Sequence, residues 1–277
     1  MSYKNWSYNA DKKQYIATHK VAKRLPSGMY NLKIAGFGEP ATTSLRLRDD
    51  KIKVFQNGPL PRVMREISKF WASGKHYEKL GVSHKRSILM HGPAGCGKSG
   101  IISSIIEQTI KDDGLVFQVN NLRDFQECFD GAMQVEDGRN VVVTIEDMEK
   151  LCPYNEENLL EILDGTSSIG NHILFVSTTN KLNKIPTRIR CRPSRVDTLI
   201  EIGFPDKEQR REYLEFILGK DKSDLSPAKL ADATNKFSLA MLKELVVSIQ
   251  VYGKSLKEAI SLIRQMAKGS DTEEDEE

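Results

Sequence analysis

The 277 residues suffice for one large domain or two modest ones, and 39% hydrophobic content, 29% charge and a net charge of +3 fit a globular protein. No run of about eighteen apolar residues occurs, so no membrane span is expected. Met1–Trp6 has no apolar signal core, and Cys96, Cys128, Cys152 and Cys191 lie apart without metal-ligand spacing, so a cytoplasmic protein with reduced thiols is expected.

In chain order, residues 1–27 are polar and basic, and Gly28–Phe55 is β-rich. Leu45, Leu47, Ile52, Val54 and Phe55 flank Asp49-Asp50, which predicts a hairpin. Gly36-Phe37-Gly38-Glu39-Pro40-Ala41 matches a dinucleotide-loop pattern, but no helix follows, so it reads as a turn. After a break at Asn57–Pro61, Val63, Ile67, Phe70 and Trp71 predict one helix over Arg62–Leu80. Short apolar runs then predict strands at Ser87–Met90, Leu115–Val119, Val141–Ile145, Ile173–Ser177 and Leu199–Ile202, with helical segments separating the first four. Near-continuous apolar strands alternating with helices imply an α/β fold with a parallel sheet covered on both faces.

From Pro205 the pattern is purely helical: Lys207–Leu218, a helix started by Ser226-Pro227, Leu239–Tyr252, and Leu256–Ala267 with Ser255 and Glu258 as a capping box. Asp271–Glu277 holds six acids and no base, which leaves +9 on the rest of the chain; this end reads as a solvated tail. The expected boundaries are an N-terminal region at 1–57, an α/β nucleotide-binding domain at 58–205, a helical lid at 206–268 and a disordered acidic tail at 269–277.

The stretch Gly92-Pro93-Ala94-Gly95-Cys96-Gly97-Lys98-Ser99 follows a strand, opens a helix at Gly100, and fits the phosphate-loop pattern. Its glycines let backbone N–H groups curl around phosphates, Lys98 reaches the outer phosphates and Ser99 places its hydroxyl on magnesium. A helix N-terminus adds its dipole to the same anion. Cys96 reads as a small filler.

Glu146-Asp147 ends the third of these strands, where ligands bind in parallel sheets. Here one acid supports magnesium and the other activates an attacking water. Asn180 ends the next strand and can orient that water or the terminal phosphate. Arg188, Arg190, Arg192 and Arg195 fall within eight residues without an acid. They read as a solvated face, a nucleic-acid backbone site, or arginine fingers that stabilise phosphoryl transfer.

Gly92–Ser99, Val141–Asp147, Leu159–Gly165, Thr178-Thr179-Asn180 and Arg192–Asp197 stand in the order and spacing of AAA-type ATPases, with Phe237–Leu242 similar to the start of the lid helix. The resemblance spans roughly Phe55–Lys268. It is nearest to short single-module proteins of phage and bacteria, with some likeness to the mitochondrial Rieske-protein translocase.

The resemblance implies ATP and Mg2+ as cofactors. Pro93–Gly100 would bind the nucleotide, Gly81-Val82 would line the adenine pocket, and Ser99 and Glu146 would hold the metal. Asp147 would be the base and Asn180 the first sensor. Arg192 and Arg195 would act on ATP held by a neighbouring subunit, so a homo-oligomeric, usually hexameric, ring is implied.

The chain departs from the family in three places. It reads Glu146-Asp147 where members read Asp-Glu, which predicts slow hydrolysis. One extra residue before Arg192 leaves Arg190, Arg192 and Arg195 open as the main finger. Asn121–Asn140 is short for an aromatic pore loop plus helix, and Phe129-Asp130-Gly131 reads as a helix end. The leading function is an ATP-hydrolysing ring that remodels a protein or protein–nucleic acid partner through the N-terminal region. An ATP-switched scaffold and a DNA-acting loader are the alternatives.

Overall fold

A computed structural model describes residues 5–9, 13–18, 24–34, 40–45, 55, 58–136, 138–164, 172–219 and 226–272. The hairpin expected at Asp49-Asp50, most of the Gly36–Ala41 turn, and the tail beyond Thr272 lie outside these residues. Two units divide the chain. The first holds Met1–Ile52, Arg62–Gly92 and Lys98–Glu201; the second holds Lys53–Pro61, Pro93–Gly97 and Ile202–Glu277.

Among the described residues, the first unit is built on a nine-stranded sheet. Its strands are β1 (Asn5–Asn9), β2 (Gln14–Thr18), β3 (Gly28–Ile34), β4 (Pro40–Leu45), β5 (Lys85–His91), β6 (Leu115–Gln118), β7 (Asn140–Ile145), β8 (His172–Thr179) and β9 (Thr198–Glu201). They lie in the order β1-β2-β4-β3-β6-β7-β8-β5-β9. The predicted core strands form, each within two residues of its expected ends. Ile88–Met90, Val141–Val143 and Leu174–Val176 are buried, as strands covered on both faces must be.

The N-terminal strands extend the same sheet. β3 runs parallel to β6, pairing Gly28 with Leu115 and Tyr30 with Phe117, while β1, β2 and β4 continue antiparallel beyond it. A buried polar network ties this extension to the core. Glu136, at 0% exposure, accepts the Trp6 indole N–H at 2.8 Å and the Leu25 backbone N–H at 2.7 Å. Its second oxygen pairs with Arg139 at 3.0 Å, and Arg139 also donates to the Leu25 and Asp113 carbonyls. Removing Glu136 leaves the buried Arg139 guanidinium only the exposed Asp113 carboxylate as an ion-pair partner among the described residues, at 3.0 Å, and strips the Trp6 and Leu25 N–H groups of their acceptor. Glu136→Ala is therefore expected to lower stability by about 3–5 kcal/mol, read as a shift in the urea midpoint of tryptophan fluorescence. An unchanged midpoint would show that the network does not hold the extension.

Helices cover the sheet: α1 (Leu60–Ala72), α2 (Gly74–Leu80), α3 (Lys98–Lys111), α4 (Leu122–Val135), α5 (Met148–Asp164) and α6 (Thr187–Arg190). The helix expected over Arg62–Leu80 is thus two. It breaks at Ser73, whose hydroxyl donates to the Phe70 carbonyl at 2.7 Å and competes with the helical bond. The Phe129–Gly131 segment lies inside α4 rather than at its end. Phe129 is 2% exposed, stacked on Phe125 at 4.7 Å and edge-on to Phe117, so packing carries the helix through Gly131.

The second unit holds α7 (Lys207–Leu218), α8 (Pro227–Ala233), α9 (Leu239–Gln250) and α10 (Leu256–Thr272) around Leu214, Leu230, Phe237, Leu242, Leu245 and Ile263. The capping box expected for α10 is present: Glu258 accepts from the Ser255 backbone, and its own N–H donates to the Ser255 hydroxyl. Asp206 with Gln209 makes a second box at α7. Ser226 and Pro227 start α8 as expected, although the serine hydroxyl makes no capping bond. Among the described residues no helix is long and apolar enough to cross a membrane.

Candidate functional site

Strands β7, β8 and β5 are parallel neighbours in register, with Ile145 beside Ser177 and His91 beside Thr179. Their C-terminal ends therefore face one way, and the residues that follow them are brought together. After β5 come Gly92 and, past the loop, Lys98 and Ser99; after β7 come Glu146 and Asp147, and after β8 comes Asn180.

The loop has the backbone that its glycines permit. Gly95 and Gly97 have φ of +74° and +103°, where a side chain is strained. A Cβ on Gly95 would lie 2.8 Å from that of Ala240, whose N–H donates to the Gly95 carbonyl at 3.2 Å. Cys96 is buried, and Pro93, Ala94 and Gly100 are at least partly open. Lys98 is 6% exposed, and its ammonium donates to the Gly92 carbonyl at 2.6 Å. The Ser99 hydroxyl donates to Glu146 Oε2 at 2.7 Å. Glu146 and Ser99 come from segments 47 residues apart, and sheet order alone makes them meet.

Asp147 is held from several sides. Its N–H donates to the Thr178 hydroxyl at 3.2 Å, its Oδ1 accepts from the Asn180 amide at 3.2 Å, and its Oδ2 pairs with Lys150 at 2.6 Å. The ammonium of Lys150 is held above its usual range by its hydrogen bond to Asp147. Asp147 sits at φ +50°, a left-handed conformation that Asp tolerates better than most residues. Such a position costs about 1–3 kcal/mol and persists only when its surroundings fix it.

Glu149, which the motifs do not include, belongs to this cluster: its Oε1 accepts the Asn180 backbone N–H at 3.0 Å. Its signal in the sequence was an acid in the first turn of a helix. That signal is ambiguous, because the helix dipole favours acids there in any case.

The four arginines separate. Arg195 is 7% exposed and grips Asp164 with two bonds, at 2.7 and 2.6 Å, while donating to the Arg188 carbonyl at 2.9 Å. That pairing holds the Asp164 carboxyl below the usual carboxylate range. Arg188 pairs with Glu156, and Arg190 is partly buried. Arg192 is exposed, and no side chain among the described residues hydrogen-bonds or ion-pairs with its guanidinium. Gly81 caps α2 in the left-handed conformation at φ +65°, and Val82 beside it is exposed. The rings of Phe70, Tyr77 and His84 pack together and fix α2 against the start of β5.

No group of three His, Cys, Asp or Glu side chains gathers as a metal cage among the described residues. The oxygen donors at hand are the Ser99 hydroxyl and the Glu146 carboxylate. They fit Mg2+, a hard cation usually held by one or two protein oxygens together with water and substrate phosphates.

Residues 88–204 match the model of a family described as "ATPase family associated with various cellular activities (AAA)". The chain is 27% identical over 190 residues to a "Cell division cycle protein 48 homolog" of Archaeoglobus fulgidus, covering 61% of this chain and 25% of that protein. It is 26% identical over 200 residues to an "AAA ATPase forming ring-shaped complexes" of Corynebacterium kroppenstedtii, covering 61% and 34%. It is 28% identical over 175 residues to the human "Mitochondrial chaperone BCS1", covering 54% and 39%. The chain thus spans well under half the length of these relatives. The sheet order and the glycine loop are those of a P-loop NTPase fold.

Proposed function

We propose, for a chain that carries an AAA ATPase domain, that it binds ATP with magnesium, hydrolyses it to ADP and phosphate, and works as a homo-oligomeric ring that remodels a protein or protein–nucleic acid partner. The observation that supports this most is the Ser99–Glu146 hydrogen bond of 2.7 Å, two hard oxygen donors meeting at the end of a glycine loop. Magnesium, when bound, neutralises charge that develops on the transferred phosphoryl group.

The chain's own residues do the rest. Backbone N–H groups of Ala94–Gly100 cradle the phosphates, and Lys98 exchanges the Gly92 carbonyl for the outer phosphate oxygens. Gly81 and Val82 offer backbone and an exposed apolar side chain to the adenine. Asn180 orients the attacking water, and Asp147 takes its proton. Arg192 reaches the ATP of the next subunit, while Arg195, bound to Asp164, shapes the segment that presents it. The relatives named as forming ring-shaped complexes and as a chaperone support assembly and protein remodelling.

One observation favours a second reading, the ATP-switched scaffold: both Asp147 oxygens are already engaged, by Asn180 and Lys150. A phosphate-release assay on the purified chain with magnesium and ATP separates the two. Steady release, together with growth into a larger species on adding ATP, is the expected result. Assembly without release would decide for the scaffold. Lys98→Ala is expected to bind no nucleotide, and wild-type affinity in that variant would sink the loop assignment.

A further inference from the structure

Glu149 stands outside the motifs that define the site, yet it is joined to them. It lies in the first turn of α5, two residues after Asp147. It is only 8% exposed, and its Oε2 is buried with no hydrogen-bond partner among the described residues. A carboxylate that served the helix dipole alone could do so from solvent, without the desolvation that burial imposes. Something else holds it inside.

Its bond to Asn180 suggests what. Oε1 accepts the Asn180 N–H, the Asn180 side chain donates to Asp147, and the Asp147 N–H donates to Thr178. Together these bonds brace the end of β7 against the end of β8. Asp147, in its left-handed conformation, needs such a brace.

We propose that Glu149 is a positioning residue: by fixing the backbone amide of Asn180, it sets the side-chain amide that holds the Asp147 carboxylate. Its kinetic consequence rests on the hydrolysis reading above; its geometry does not. Glu149→Gln keeps an acceptor oxygen for the Asn180 N–H, whereas Glu149→Ala leaves that N–H unpaired.

The test has a kinetic and a structural arm. Glu149→Ala is expected to lower kcat by about 10–100-fold, the scale for partners that orient reacting groups, with ATP affinity unchanged. Glu149→Gln is expected to stay near wild type. In an Asn180→Ala background, Glu149→Ala is expected to add no further loss, because the link it acts through is already gone. Wild-type turnover in Glu149→Ala, a fully additive loss, or a parallel fall in ATP affinity would each overturn the proposal.

The structural arm is hydrogen exchange of residues 178–181 in nucleotide-free protein. The Asn180 amide is expected to exchange faster in Glu149→Ala and at the wild-type rate in Glu149→Gln. If the wild-type chain releases no phosphate, the hydrolysis reading fails by itself. Exchange then still decides the matter: unchanged protection in Glu149→Ala overturns the positioning role, and faster exchange confined to this segment supports it.

Discussion

Arg192→Ala is expected to leave ATP binding intact and to lower turnover by about 10³–10⁵-fold, the range for a guanidinium delivered to a transferring phosphoryl group. Arg192 is exposed with no side-chain bond or ion pair among the described residues, whereas Arg188, also exposed, is committed to Glu156, Arg195 to Asp164, and Arg190 is partly buried. A residue that serves a neighbour's site must be presented outward and must not be neutralised by its own subunit. Mixed rings supply the decisive measurement. If Arg192 acts on the adjacent ATP, mutant subunits next to wild-type ones regain turnover at their own sites. A wild-type rate in pure mutant rings would remove the assignment.

Arg195→Ala is expected to behave differently. It takes away the bidentate partner of Asp164, and thermal stability falls together with turnover. Lysine does not replace it, because a point ammonium cannot reproduce the planar two-bond contact.

Asp147→Asn is expected to trap ATP, with turnover lower by about 10²–10⁴-fold, the usual contribution of a positioned general base. The substitution suits the local structure. Asn is nearly isosteric and tolerates the left-handed backbone at φ +50° as Asp does. It also keeps an oxygen for the Asn180 amide. What it loses is proton affinity and the ion pair with Lys150. Phosphate release measured alongside ATP affinity checks this: turnover at the wild-type rate would assign the base elsewhere, and lost affinity would point to a binding role instead.

Much of this site is readable along the chain because its parts are local. A phosphate loop needs glycines where φ is positive and Lys-Ser where the helix begins, so Gly92–Ser99 declares itself by spacing. Apolar runs such as Val141–Ile145 mark strands buried on both faces, and acids at their ends mark the ligand side of a parallel sheet. Other features depend on residues far apart in sequence. No pattern in Gly28–Ile34 says that this strand pairs in parallel with Leu115–Gln118, because the pairing is fixed by a partner about 87 residues away and by the buried Glu136 network. At the break, the hydroxyl and the backbone N–H of Ser73 both donate to the Phe70 carbonyl, a local pattern that helix periodicity does not register.

The sequence by itself determined the nucleotide loop, the strand-end acids and the helical segment after Pro205, since each follows from residue type at short spacing. Only the tertiary structure decided which charges are available for chemistry. Arg192 and Arg195 are three residues apart and identical in kind, yet one is exposed and the other is buried against Asp164. Glu149 resembles any acid at a helix start until its hydrogen bond to Asn180 is seen. Burial and pairing fix what a charged side chain can do, and both depend on contacts that the chain makes only after it folds.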